Sequence, residues 1–409
     1  MSVTELAGPK IPDSENGAVV YAGAFKLISG ATAEKDLDIL MRVIQPGRLA
    51  TSPAIYSRAA SVVRRYAGLF PLIEEAATRQ KCAFPVHWEL GLDAECPHLL
   101  SLRRLAWLVS ASAILDGRGG RTTKAAGKVA LIFAISESLK KEPSLIAQFD
   151  RISIIRTGLR TLRNGQWLEY LNDAEAKRLF DALAGIDLTP GFVSGMQGER
   201  ATGIWVFDQV RSNGPAALGK NSDNSQRIHI CPLCLCLNAD ERFYLDEMGR
   251  QVKYAGMTYH QAKVMDPRFD EDPHIPRYAL ISAMLLPVFP VVAPNRDKAV
   301  AEIGEGQIAL ALQAYRARFG TYPRNLAELR EKLGWKLPKD PFSGNDLVYK
   351  RNGDGFLLYS IGPDLKDDGG REISRSRSGP ENGDIVWRVA GSCAVGLRGG
   401  SQTKGDCSQ

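Results

Sequence analysis

The sequence lacks the patterns that announce common enzymes. Its 409 residues contain no Gly-x-Ser-x-Gly elbow, no P-loop, no His-Glu-x-x-His pair and no Gly-x-Gly-x-x-Gly fingerprint. The five histidines, His87, His98, His229, His260 and His274, are scattered, with no evident nucleophile beside any of them. His98, just ahead of an apolar helical run, is expected as a hydrogen-bonded or exposed helix-start residue rather than a base. Cysteine is sparse as well. Seven in a chain of this length, an odd number, exclude the dense disulfide framework of small secreted domains and leave reduced thiols as the expectation. No basic start followed by a sustained apolar run opens the chain, because the short stretch Ala18 to Phe25 meets Lys26 at once. As written, the sequence reads as cytoplasmic; a different true start would open an extracytoplasmic or membrane-associated placement. Tyr278 to Ala293 is uncharged and mostly apolar, but it is shorter than the roughly 20 residues of a membrane span and broken by Pro287 and Pro290. A buried or interfacial helix is expected over 278–293, with membrane contact the weaker reading.

What the sequence does have is charge placed unevenly. Between Leu99 and Gly165 twelve basic residues face four acidic ones, a local excess of +8; the total is +6, so the remainder sums to −2. A solvated helix face is the plainer reading of this stretch; the alternative is a docking surface for an acidic protein, an anionic membrane or nucleic acid, with Arg156, Arg160 and Arg163, at i, i+4 and i+7, as its candidate residues and a protein partner favoured. Trp107, Phe133 and Phe149 are the only aromatics there, too few to stack on bases, which argues against nucleic acid.

The first two hundred residues read as an antiparallel helical-hairpin array. Ser52-Pro53 predicts a helix start, with apolar positions from Ile55 to Ile73 on one stripe and a kink at Pro71. Leu99 to Leu115 and Lys124 to Lys141 are separated by Asp116-Gly117-Arg118-Gly119-Gly120, a turn composition that makes neighbours antiparallel. A further helix follows Pro143, and Asn172 with Glu175 three residues on predicts a capping box. Arg211 to Gln226, rich in Ser, Asn and Gly, reads as a loop. The expected organisation is multi-domain and mainly α: a helical-hairpin domain over 1–200, a linker with short helices and a cysteine cluster over 201–277, an α+β domain over 278–390 and a flexible tail over 391–409. Within the linker, Cys231, Cys234 and Cys236 with His229 are a candidate zinc set. Leu233, Leu235 and Leu237 interleave those thiols as core residues do, which makes buried small hydrophobes the better reading and a zinc-dependent regulatory protein or metalloenzyme the alternative.

The C-terminal third carries a resemblance. The run Ala311 to Pro323, then Leu326-Ala327-Glu328-Leu329, Leu337 to Phe342, Tyr349, Asp354 to Asp364 and Gly383-Asp384-Ile385-Val386-Trp387 resembles, in that order, the soluble domain of the major pseudopilin of type II secretion systems. The resemblance implies a long helix packed on a small antiparallel sheet, with a calcium ion fastening the loop after the last long strand. It assigns Asp364 and Asp384 as carboxylate ligands and Ile361 as a carbonyl donor; Asp367 and Asp368 are added from charge and proximity. The residues themselves agree on the framework. A helix is expected from Val300 to Gly320, and Leu347 to Tyr349 and Phe356 to Ser360 are strand-like and joined through Asn352-Gly353-Asp354-Gly355. Calcium takes six to eight oxygens from a flexible loop, which this composition supplies. Arg371, Arg375 and Arg377 enter the same loop, whose six acids and four bases from Asp364 to Asp384 sum to −2. The functional expectation is a non-catalytic interaction or scaffold protein; no processing signal precedes the 278–390 unit, so assembly into a pseudopilus is not expected.

Overall fold

The computed structural model describes residues 2–45, 52–79, 81–164, 166–214, 233–286, 289–373 and 382–389. They are mainly helical, with a small three-stranded antiparallel sheet near the C-terminal end. The helices are α1 (Val3–Ala7), α2 (Gly17–Leu27), α3 (Ala31–Ile44), α4 (Pro53–Arg65), α5 (Leu69–Thr78), α6 (Pro97–Arg118), α7 (Thr122–Glu137) and α8 (Leu145–Asn164). They continue as α9 (Asp173–Ala184), α10 (Thr189–Asn213), α11 (Leu233–Ala255), α12 (Tyr259–Met265), α13 (Leu280–Leu285), α14 (Val292–Phe319) and α15 (Leu326–Leu333). The strands are β1 (Val348–Asn352), β2 (Gly355–Ser360) and β3 (Ile385–Val389).

Local chemistry accounts for many of the ends. The expected capping box forms: Asn172 Oδ1 accepts from Glu175 N at 2.9 Å, and Asn172 N donates to Glu175 Oε2 at 3.1 Å. The kink expected at Pro71 is instead a break at residues 66–68, ahead of the proline. Pro71 then falls in the first turn of α5, where its missing N–H deprives the helix of nothing. Gly320 ends α14 in the left-handed conformation, φ 74°. The short helix α13, inside the apolar segment 278–293, is capped from a distance: buried Asp240 on α11 accepts from Ile281 N (2.8 Å), Ser282 N (3.1 Å) and the Ser282 hydroxyl (2.5 Å).

β2 is the central strand, with Val348 opposite Tyr359 on one side and Ser360 opposite Ile385 on the other. The β1–β2 turn places Gly353 at positive φ in the first central position, where a tight hairpin loop demands it. One face of the sheet packs on α14, whose other side packs on α8 and α9. Every residue from Ile303 to Tyr315 is buried, as a helix enclosed on all sides must be. Gly306 makes the approach to α8 possible, since a Cβ there would sit 2.7 Å from Leu159 Cδ2.

Two large apolar cores result, beside a smaller cluster around Tyr259, Phe269 and Phe342. One joins Tyr21, Leu40, Ile73, Leu105, Val109 and Ile154 across α2 to α8; the other runs from Phe133 and Ile155 through Phe180 and Phe207 to Leu310, Phe356 and Trp387. The second core is therefore continuous across the sequence boundary at 277, and α10 runs unbroken through the one at 200. Helix α8 serves both cores, with Ile154 in one and Ile155 in the other. Its remaining face carries the arginines.

A candidate docking cleft on the basic helices

Most of the twelve basic residues between Leu99 and Gly165 turn out to be matched. Arg103 pairs with Asp150 (3.3 Å), Lys128 and Arg121 with Asp116 (2.6 and 2.8 Å), and fully buried Arg151 with Glu137 (2.7 Å). Arg118 lies over the Tyr56 ring at 3.8 Å. Lys124 and Lys141 are exposed and need no partner. Much of the local excess is thus dispersed.

The three candidate arginines behave differently from one another. Arg156 Nε donates to Glu302 Oε2 at 2.6 Å, and Arg163 Nη2 donates to Glu305 Oε2 at 3.4 Å while its guanidinium lies 4.7 Å from the Trp387 ring. Both acceptors belong to α14, so α8 and α14 are tied together by charge as well as by packing. Arg160, between them, is half-buried and has neither an ion pair nor a hydrogen bond among the described residues. Burial pushes its pKa down; Glu302 opposes that shift, and the like charges of Arg156 and Arg163 add to it.

These side chains line a cleft of about 490 Å³ with Gln45, Leu159 and Asn164. A second lobe of about 330 Å³ shares Gln45, Arg156 and Arg160 and extends over Met41, Trp107, Phe149 and Ile152. Volumes of this order accommodate a small ligand or the anchoring side chain of a partner. Glu305, the acceptor of Arg163, is not part of the cleft's lining. It is wholly buried, its Oε1 accepts no hydrogen bond, and burial pushes its carboxyl well above the ordinary carboxylate range despite the opposing charge of Arg163. No sequence pattern pointed to Glu302 or Glu305, because their partners lie some 140 residues away.

The acidic turn is built the opposite way. Asp364 Oδ1 accepts from Lys366 N (3.2 Å) and its Oδ2 from Gly383 N (3.2 Å), the residue that precedes Asp384. Asp384, buried, accepts from Gly370 N at 2.7 Å and Asp368 N at 3.4 Å. Burial pushes its carboxyl up; those two amides oppose the shift, and Asp367 and Asp368 add to it. Asp367 accepts from the Tyr359 hydroxyl (2.8 Å) and Gly369 N (2.9 Å), and Asp368 binds Arg371 at 2.6 Å. Ile361 N reaches Asp340 Oδ2 at 3.4 Å. Among the described residues no set of three or more His, Cys, Asp or Glu side chains converges to hold a metal ion. The described part of the turn therefore does not by itself make a calcium cage. Arg375 and Arg377 lie outside the described residues.

Comparison with known protein families, with curated proteins and with solved structures finds no match. The residues of this chain alone carry its functional reading.

Of the zinc set, His229 and Cys231 lie outside the described residues, as does the Cys234 side chain; Cys236 is half-buried and free. Burial pushes the thiols of Cys82 and Cys96 up to about 12 and about 11, which makes them poor nucleophiles. His98 is buried at the start of α6, stacked on Phe84 at 4.2 Å, with both Glu142 oxygens 3.0 Å from its Nε2. That pair sits beside an apolar pocket of about 360 Å³ lined by Phe25, Phe84 and Pro85. No described helix is long and apolar enough to cross a membrane.

Proposed function

We propose that this chain is a non-catalytic interaction protein that receives an anionic protein partner at the arginine face of α8. The observation that carries the reading is Arg160, a half-buried cation left without a partner between two arginines that α14 holds in place. A half-buried guanidinium that no acceptor among the described residues bonds has donors to spare, and a carboxylate arriving from outside makes a charge-assisted pair with it. The α14–sheet unit acts as the backing that fixes Glu302 and Glu305. Binding of a fluorescent pentaglutamate peptide to the full chain tests the reading. Affinity should fall as salt is raised and vanish in Arg160→Glu, while the melting temperature of the variant stays close to that of the wild type. Salt-insensitive binding, or an unaffected variant, refutes it.

For the C-terminal unit, the pseudopilin-like reading is our proposal from the resemblance, supported by a long helix lying on a small antiparallel sheet. Calcium at the acidic turn belongs to the same proposal. If the ion binds only the folded chain, calcium at a hundredfold excess over its dissociation constant adds about 2.7 kcal/mol of stability. A melting temperature indifferent to calcium and chelator leaves the turn held by its amides alone and removes the ion from the reading.

A further inference from the structure

We infer that the partner segment is an acidic peptide carrying a bulky apolar side chain next to its carboxylates. This rests on the docking reading above and adds the second lobe to it. The two lobes of the cleft meet at Gln45, Arg156 and Arg160, so a carboxylate paired with Arg160 leaves its neighbouring substituent at the mouth of the second lobe. That lobe offers Met41, Trp107, Phe149 and Ile152 as its apolar wall and no Asp or Glu at all. An aromatic or large aliphatic side chain placed there removes apolar surface from water at about 25 cal/mol per Å², whereas a purely polar acidic segment leaves the lobe unused.

The spacing of the arginines selects an extended peptide over a compact anion. Arg156 and Arg163 are seven residues apart on one helix, about 10 Å along its axis, which is the reach of three extended residues. Arg156 and Arg163 keep 38% and 40% of their side chains exposed despite their bonds to α14, so carboxylates of such a peptide can share them from the solvent side. Carboxylates of the peptide thus meet Arg160 and the flanking arginines, and the apolar anchor beside them enters next to Trp107. This is the arrangement in which a few buried anchors dominate the affinity and a charged rim sets the orientation.

Anisotropy titrations of the full chain with three labelled peptides test the inference: Glu-Glu-Phe-Glu-Glu, Glu-Glu-Ala-Glu-Glu and Gln-Gln-Phe-Gln-Gln. The first should bind at least tenfold tighter than the second, and the third should not bind measurably. Ser153→Phe, which fills the second lobe from α8, should abolish the preference for the aromatic peptide while the affinity of the alanine peptide stays unchanged. Arg160→Gln should weaken both acidic peptides. Equal binding of the phenylalanine and alanine peptides overturns this inference and leaves the docking reading standing. Failure of both acidic peptides, or indifference of their binding to Arg160→Gln, removes the docking reading itself. Phenylacetate binding as tightly as the aromatic peptide overturns the peptide assignment in favour of a small organic anion.

Discussion

The arginine face of α8 and the acidic turn between β2 and β3 look alike in the sequence, as two stretches dense in charge and each with a net excess of one sign, and the fold treats them in opposite ways. At the turn the main carboxylates receive amide or hydroxyl donors from within a few residues, or across the short gap between the strand ends: Asp364 from Lys366 and Gly383, Asp367 from Tyr359 and Gly369, Asp384 from Asp368 and Gly370. At the helix face the counter-charges come from α14, they match two arginines of three, and Arg160 is left over. The contrast teaches that charge density does not mark a site. A loop of positive-φ glycines can wrap its own anions in backbone amides, as Gly369 and Gly370 do, whereas a helix has already used its carbonyl oxygens internally and its arginines must take their acceptors from elsewhere.

The strongest way to break this comparison is at Asp384. Its carboxylate is buried and accepts two backbone amides, and hydrogen bonds to charged acceptors are worth about 1.5–3 kcal/mol each. Asp384→Ala should therefore cost about 3 kcal/mol in denaturant unfolding and loosen the β2–β3 pairing. A loss below about 1 kcal/mol means that the turn is not held by its own amides. Asp364→Ala, whose carboxylate is less buried than that of Asp384 and lacks a bond as short as the 2.7 Å one from Gly370, should cost about 1 kcal/mol.

A second test separates the two regions by pH. The Glu305 carboxyl is raised in the folded chain, so between its unfolded and folded pKa values the native state holds a proton that the unfolded state has released. Stability contributed at this position is thus present at acid pH and declines as pH rises above the usual carboxylate range. Glu305→Gln, which carries no charge to bury, should be nearly neutral near pH 4 and increasingly stabilising toward pH 8, by about 1.4 kcal/mol for each unit of the native shift. Thermal melts across that range read the slope; a variant parallel to the wild type at every pH shows that Glu305 is ionised at no net cost, with Arg163 fully compensating it.

How much of this was legible in the sequence follows from the range of the interactions. The Asn172–Glu175 box, the glycine stop at 320 and the 352–355 hairpin are local devices, and their residues announce them. The break ahead of Pro71 was misplaced by a few residues, because a proline is tolerated in the first turn of a helix as readily as it disrupts the middle of one. The distant cap from Asp240 to α13 and the bonds from α8 to α14 were invisible, since the sequence records what each residue is but not which segment folds against it. For the same reason the arginine face was readable as a stripe but not as a cleft. Only the fold shows that Arg156 and Arg163 are answered and Arg160 is not.

The smallest expected effect is also the most discriminating. If Arg160 served the fold, its removal would cost as much as breaking a buried pair, several kcal/mol. With no hydrogen bond or ion pair to lose among the described residues, Arg160→Gln should change stability by no more than about 0.5 kcal/mol, because desolvation and the repulsion of Arg156 and Arg163 are relieved while the attraction of Glu302 is lost. Arg156→Gln in the same assay leaves Glu302 without its ion-pair partner and should destabilise by about 1 kcal/mol. Equal losses for the two variants would mean that Arg160 is bound into the structure after all and that the cleft is a structural seam. A neutral Arg160→Gln that nonetheless loses the acidic peptide is the combination that only a residue reserved for a partner produces.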